Sequence, residues 1–152
     1  IMKTVYKKVS SLLIIFIFHI IFQSIYLNEE IINWDMSTFL IAGQDIVRGN
    51  MPYISQFEVK GPILFYIFGL LTYFAGKNII IVKLINDLII FTLTVILYLT
   101  VENRTKNLKQ SFFSSILFIS LMSSRGLGQA GYSEIYALLF LALGLFIFLK
   151  IN

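Results

Sequence analysis

"IIIVKLINDLIIFTLTVILYLTV", residues 79–101, is too long and too apolar for an ordinary core helix. As a helix it extends about 34 Å, enough to cross a hydrocarbon layer of about 30 Å. Its charged residues are Lys83 and Asp87, spaced i, i+4. That spacing puts them on one face, where they are expected to neutralise each other against protein, since ionisable groups in membranes rarely face lipid. Composition agrees: the chain is 58% hydrophobic and 13% charged, with mean hydropathy +0.86. Soluble domains hold roughly 45–50% apolar and 25% charged residues. An all-α membrane protein is the expected class. With no cysteine, disulfides, thiolate catalysis and Cys-type zinc sites are all excluded.

Three further runs are read as spans: about 9–27, 111–128 and 135–150, the last two short unless Ser, Gly and Tyr neighbours are included. The first follows Lys3, Lys7 and Lys8, which suits either a signal peptide or an uncleaved anchor. The sequence "QSIYLNEE" offers no small-residue cleavage site, so the anchor is the reading taken. A fifth run, "PILFYIFGLLTYFA" at 62–75, reaches only about 21 Å. If it spans, Arg104, Lys106 and Lys109 fall on the side opposite Lys3, Lys7 and Lys8. If it lies in the interface or re-enters, all of these and Lys150 share the cytoplasmic side, as the positive-inside rule prefers. Pro62 suits its first position and Gly76 its stop. The expected topology is therefore N-terminus inside, an external loop over 28–78, a cytoplasmic turn at 102–110 and an external turn at 125–134.

The external loop is itself organised. Met36, Phe39, Leu40, Gly43 and Val47 recur at helical spacing, with Thr38, Gln44, Asp45 and Arg48 elsewhere on the wheel. A surface helix over 35–48 is expected, stopped by Gly49-Asn50 and followed by a turn at "MPY" and a polar, strand-like stretch. Trp34 and the tyrosines at 26, 53, 66 and 73 fit an interfacial belt.

Two readings stand for most polar residues. Asp35 is a helix N-cap or a catalytic carboxylate at the mouth of a membrane cavity. Glu58 and Lys60 are an exposed ion pair, or a metal or hydroxyl ligand beside a phosphate-binding ammonium. Glu134 favours a helix N-terminus and Arg125 snorkels from a helix end, unless each serves a ligand. Asp45 reads as solvated, and His19 as a packed histidine rather than a ligand.

"WDMSTFLIAGQDIVRGNMPY" and "FEVKGPILFYIFGLL" together resemble the first external loop of GT-C fold glycosyltransferases, such as the protein O-mannosyltransferases and lipid A aminoarabinose transferases. There an Asp begins a surface helix, a Gly about fourteen residues on ends it, a "PY" element follows, and Lys-Pro opens a second surface helix. Asp35, Gly49, Pro52-Tyr53 and Lys60-Gly61-Pro62 stand in those places. "MSSRGLGQAGYSEIYALLFLALGL" is similar to the family's later acidic motif, with Glu134 where Asp is common. The chain departs from the pattern at Met36, where many relatives have a second acidic residue, and at Gly61, which separates Lys60 from Pro62.

The resemblance implies a transferase taking a sugar from a polyprenyl-phosphate donor at the outer face of a bacterial plasma membrane. It implies Asp35 as general base, Lys60, Arg125 and Tyr53 at the substrate, and a divalent metal ion held by Glu58 and Glu134. Lipid, glycan or protein is the acceptor, and nucleic acid is not a partner. Since family members run to several hundred residues, it also implies that 1–152 is an N-terminal module, inactive alone. The rival expectation is a small non-enzymatic membrane subunit, or a flippase-like protein that binds a lipid head group.

Overall fold

The computed structural model describes residues 2–25, 34–54, 59–76, 78–124 and 133–151. The described residues are helical, with no strand, in the order α1 (Met2–Ser24), α2 (Trp34–Val47), α3 (Pro62–Ala75), α4 (Ile79–Thr105), α5 (Leu108–Met122) and α6 (Ser133–Ile151). Among them, α1, α4 and α6 are long and apolar enough to cross a membrane. Of the run expected as a span over 111–128, residues 125–128 lie outside the described residues, and α5, 15 residues long, reaches about 22 Å.

Much of α4 is Ile, Val and Thr, poor helix formers in water. In an apolar setting a helix is the element that pairs all its backbone groups within itself, which overrides that propensity. The hydroxyls follow the same logic. Thr94, Thr100 and Thr105 donate to the carbonyls of Ile90, Ile96 and Val101 one turn back, as Ser115 does to that of Ser111. The ends are capped locally. Asn78 accepts from the Ile80 N–H at 3.0 Å, and Asn107 accepts from the N–H of Lys109. Lys106 stops α4 in the left-handed conformation, φ 54°.

Four helices form the bundle. Lys8 pairs with Glu102 at one end, while the His19 ring lies 5.2 Å from that of Phe91, so α1 runs antiparallel to α4. Gln23 donates to the Ser123 hydroxyl at 3.3 Å, which aligns the ends of α1 and α5. On the other side of α4, Ile90 and Leu93 pack with Ile135, and Asn103 donates to the Leu149 carbonyl, so α6 runs parallel to α4. His19 is buried and packed, as expected of it. Lys83 and Asp87 are buried with Asn86 on the protein-facing side of α4.

Beyond the level where α6 starts, the first turns of α4 continue and carry the pair α2–α3. Helix α3 keeps the bounds expected from Pro62 and Gly76; the latter takes φ 59° and donates to the Thr72 carbonyl at 2.8 Å. Its start is tied to α6 and its end to the start of α4, so it does not descend to the Lys8–Glu102 end. One face, with Phe65, Phe68, Leu71 and Ala75, is buried in a cluster with Met36, Phe39, Val82 and Tyr136. The opposite face shows Ile63, Tyr66, Leu70, Tyr73 and Phe74, more than half exposed each.

Helix α2 departs from expectation in two places. Val47 lies outward, 47% exposed, and Ile46 packs instead against Gly69. Asp45 is not solvated: its side chain is 18% exposed and lies 3.6 Å from the Arg48 guanidinium. Met36, Phe39 and Gly43 of the expected stripe are buried, and beyond the close crossing at Gly43 the buried side passes to Ile46, the residue that meets Gly69.

Candidate functional site

The α2–α3 crossing brings backbone to backbone. A Cβ on Gly43 would stand 2.5 Å from the Phe68 carbonyl oxygen and 2.8 Å from the Thr72 hydroxyl. Above this contact Phe39 stacks obliquely on Phe65 and Phe68, and Phe68 meets Tyr136 edge-on at 5.2 Å. An aromatic layer thus joins α2, α3 and α6, and the polar residues of interest stand at its edge.

Lys60 precedes α3 and Glu134 opens α6, and their side chains meet, Nζ to Oε1 at 3.3 Å. The Ser133 hydroxyl donates to the other Glu134 oxygen at 3.1 Å. Tyr53 holds the incoming loop. Its hydroxyl donates to the Lys60 carbonyl at 2.6 Å, its ring meets Phe65 edge-on, and its backbone takes φ 68°, strained for a bulky residue. Tyr53 therefore fixes where Lys60 stands. The helix starting at Trp34 puts Asp35 inside the first turn of α2 rather than at the cap. There its carboxylate faces the positive end of the helix. Asp35 is half-buried, and Met36 beside it belongs to the cluster that holds Phe65 and Tyr136.

Between α3 and α6 runs a groove of about 440 Å³. Lys60, Ser133 and Glu134 stand at its polar side, while Pro62, Ile67, Tyr136 and Phe140 line the rest. Phe140 and Ile63 are themselves more than 60% exposed, so the groove opens onto apolar surface.

No protein-family model matches the chain, nor does any curated protein or solved structure. The site therefore rests on its own geometry. Of the residues singled out in the sequence, the structure brings Tyr53, Lys60 and Glu134 together; Glu58 and Arg125 lie outside the described residues. Lys60 bonds a carboxylate 74 positions on, and the expected pairing of Glu58 with Lys60 lies outside the described residues. Ser133, Tyr136 and Phe140 went unnoticed in the sequence, although helical spacing places Tyr136 and Phe140 on one face of α6. Among the described residues no group of three or more potential metal ligands occurs. Glu134 holds an ammonium on one oxygen and a hydroxyl on the other, and Glu58, the other expected metal ligand, lies outside the described residues.

Proposed function

We propose that this chain is the N-terminal catalytic-loop module of a membrane glycosyltransferase that takes a sugar from a polyprenyl-phosphate donor. The groove between α3 and α6 is the observation that carries this reading. A polyprenyl phosphate is an anion on a hydrocarbon chain, and the groove sets one ammonium at the head of an apolar channel. The donor phosphate takes the place of Glu134 on Lys60. An ion pair as exposed as this one is worth at most about 1 kcal/mol, so the exchange costs little.

In the reaction Asp35 accepts the proton from an acceptor hydroxyl or amine. The freed lone pair bonds to the anomeric carbon from the face opposite the phosphate, with inversion. The bond from that carbon to the phosphate oxygen breaks through an oxocarbenium-like state, and its electrons stay on the phosphate. Lys60, and Arg125 by the resemblance, stabilise the charge that develops there.

Binding tests the groove directly. Lys60→Gln removes one charge-assisted hydrogen bond to phosphate, and affinity for a photoreactive polyprenyl phosphate in vesicles should fall about tenfold or more. Unchanged crosslinking would remove the donor from this groove. Binding without transfer, in the complete protein, would favour a lipid-head-group-binding subunit instead.

Orientation is tested in the same vesicles or in cells. The chain lacks cysteine, so single cysteines can be placed at exposed Val59, Asn78 and Thr105. With the loop outside and α3 not spanning, an impermeant thiol reagent should label positions 59 and 78 alike from outside and spare 105. Labelling of 59 and 78 from opposite sides would make α3 a span and reverse everything after it.

A further inference from the structure

The opposite end of the bundle holds a second cavity, of about 530 Å³, where α1, α4, α5 and α6 converge. Three lysines line it: Lys8 from α1, Lys106 between α4 and α5, and Lys150 from the last turn of α6. One carboxylate, Glu102, stands among them and is paired with Lys8 at 2.5 Å. The Lys106 ammonium donates to the side-chain oxygen of Asn103, a neutral group, at 3.1 Å. Asn103 also donates to the Leu149 carbonyl, which ties the floor of the cavity to α6. With Lys8 offset by Glu102, the charges of Lys106 and Lys150 are left over. The rest of the wall is apolar, with Leu99, Leu108 and Phe146.

We infer that this cavity binds the phosphate of an anionic lipid, held between Lys106 and Lys150 with its acyl chains along the apolar faces of α5 and α6. Two ammonium groups, one from the α4–α5 turn and one from α6, neither in an ion pair among the described residues, match one phosphate. Basic pockets between transmembrane helices recognise head groups in this way. The carbonyls at the end of α6 would repel a phosphate, and Lys150 screens them. The apolar side favours a lipid over a free phosphate ester. Leu99, Leu108 and Phe146 in the cavity wall are the apolar surface that the acyl chains would meet first. Nothing in this inference depends on sugar transfer, because the site lies at the far end of the bundle from Lys60 and Glu134.

The experiment uses the full chain in detergent micelles, with three probes: phosphatidylglycerol, phosphatidylcholine and free glycerol phosphate. Retention of each lipid is read by native mass spectrometry, and protection is read as a rise in melting temperature. Phosphatidylglycerol should be retained about tenfold better than phosphatidylcholine, and glycerol phosphate should give no protection at matched concentration. The double variant Lys106→Asn with Lys150→Gln should lose that preference. Asn tolerates the left-handed conformation at 106, so the α4–α5 turn is kept. Lys109→Gln, a charge change at an exposed position outside the cavity, should retain the preference and controls for net charge. Equal retention of the two lipids by the unaltered chain would overturn the inference, as would a preference that survives in the double variant. Protection by glycerol phosphate equal to that by the lipid would assign the cavity to a soluble phosphate ester and overturn the lipid source.

Discussion

Asp35→Asn is expected to leave the protein folded and inserted while sugar transfer falls by about 10²–10⁴-fold, the usual cost of losing a general base. The substitution keeps size and hydrogen-bonding capacity. Because Asp35 lies in the first turn of α2, Asn gives up its charge–dipole interaction, worth about 0.3–1 kcal/mol. Such a loss does not unfold a helix whose Met36 and Phe39 are almost wholly buried. The assay is transfer from a polyprenyl-phosphate sugar, with donor binding measured alongside. Lost transfer with retained binding places Asp35 in the chemical step. Near-normal transfer by the Asn variant, with Asp35→Ala merely unstable, would leave it a helix-stabilising residue and nothing more.

Gly43→Leu should detach the α2–α3 pair. Even the first added carbon would sit 2.5 Å from a backbone carbonyl oxygen, which cannot rotate away as a side chain can. Gly43→Ala forces the two helices apart by about 1 Å, and overpacking of this kind costs about 1–3 kcal/mol. Leu adds three more carbons to the same gap and should expose the chain near Arg48 to trypsin. Gly144→Ala is the contrast. A Cβ there meets nothing within 4 Å, and Ala in a helix interior is favoured over Gly by roughly 0.5–1 kcal/mol. Thermal unfolding in detergent should therefore move in opposite directions for the two alanine variants. A Gly43→Ala protein as stable as the parent would mean that α2 and α3 are not packed this closely.

What was legible in the sequence was local. Pro62 and Gly76 fix α3 because each acts on the backbone at its own position, and the structure keeps both bounds. The apolar runs likewise gave α1, α4 and α6. Partners across the chain were not legible. Lys60 bonds Glu134, 74 positions on, and no local rule of the sequence brings a residue before α3 to the start of α6. Burial of Asp45 and exposure of Val47 were missed for a related reason. A helical wheel gives directions from the axis, but the crossing at Gly43 determines which direction is inward. The groove beside α6 shows the limit most clearly. With nearly every residue of that helix apolar, no periodicity distinguishes Tyr136 and Phe140 from their neighbours.

The helices are of very unequal length: α4 has 27 residues and α5 beside it has 15. At 1.5 Å per residue these are walls of about 40 and 22 Å, against a hydrocarbon layer of about 30 Å. In a bilayer the lipid beside α5 would have to thin, at fractions of a kcal/mol per Å of mismatch, whereas the surplus length of α4 carries α2 and α3. The ring of lipids around the protein would then be lopsided, with shorter or more disordered chains gathered on the α5 side. That asymmetry would orient the protein toward its neighbours, since any helix placed against the low wall relieves the strained lipid there.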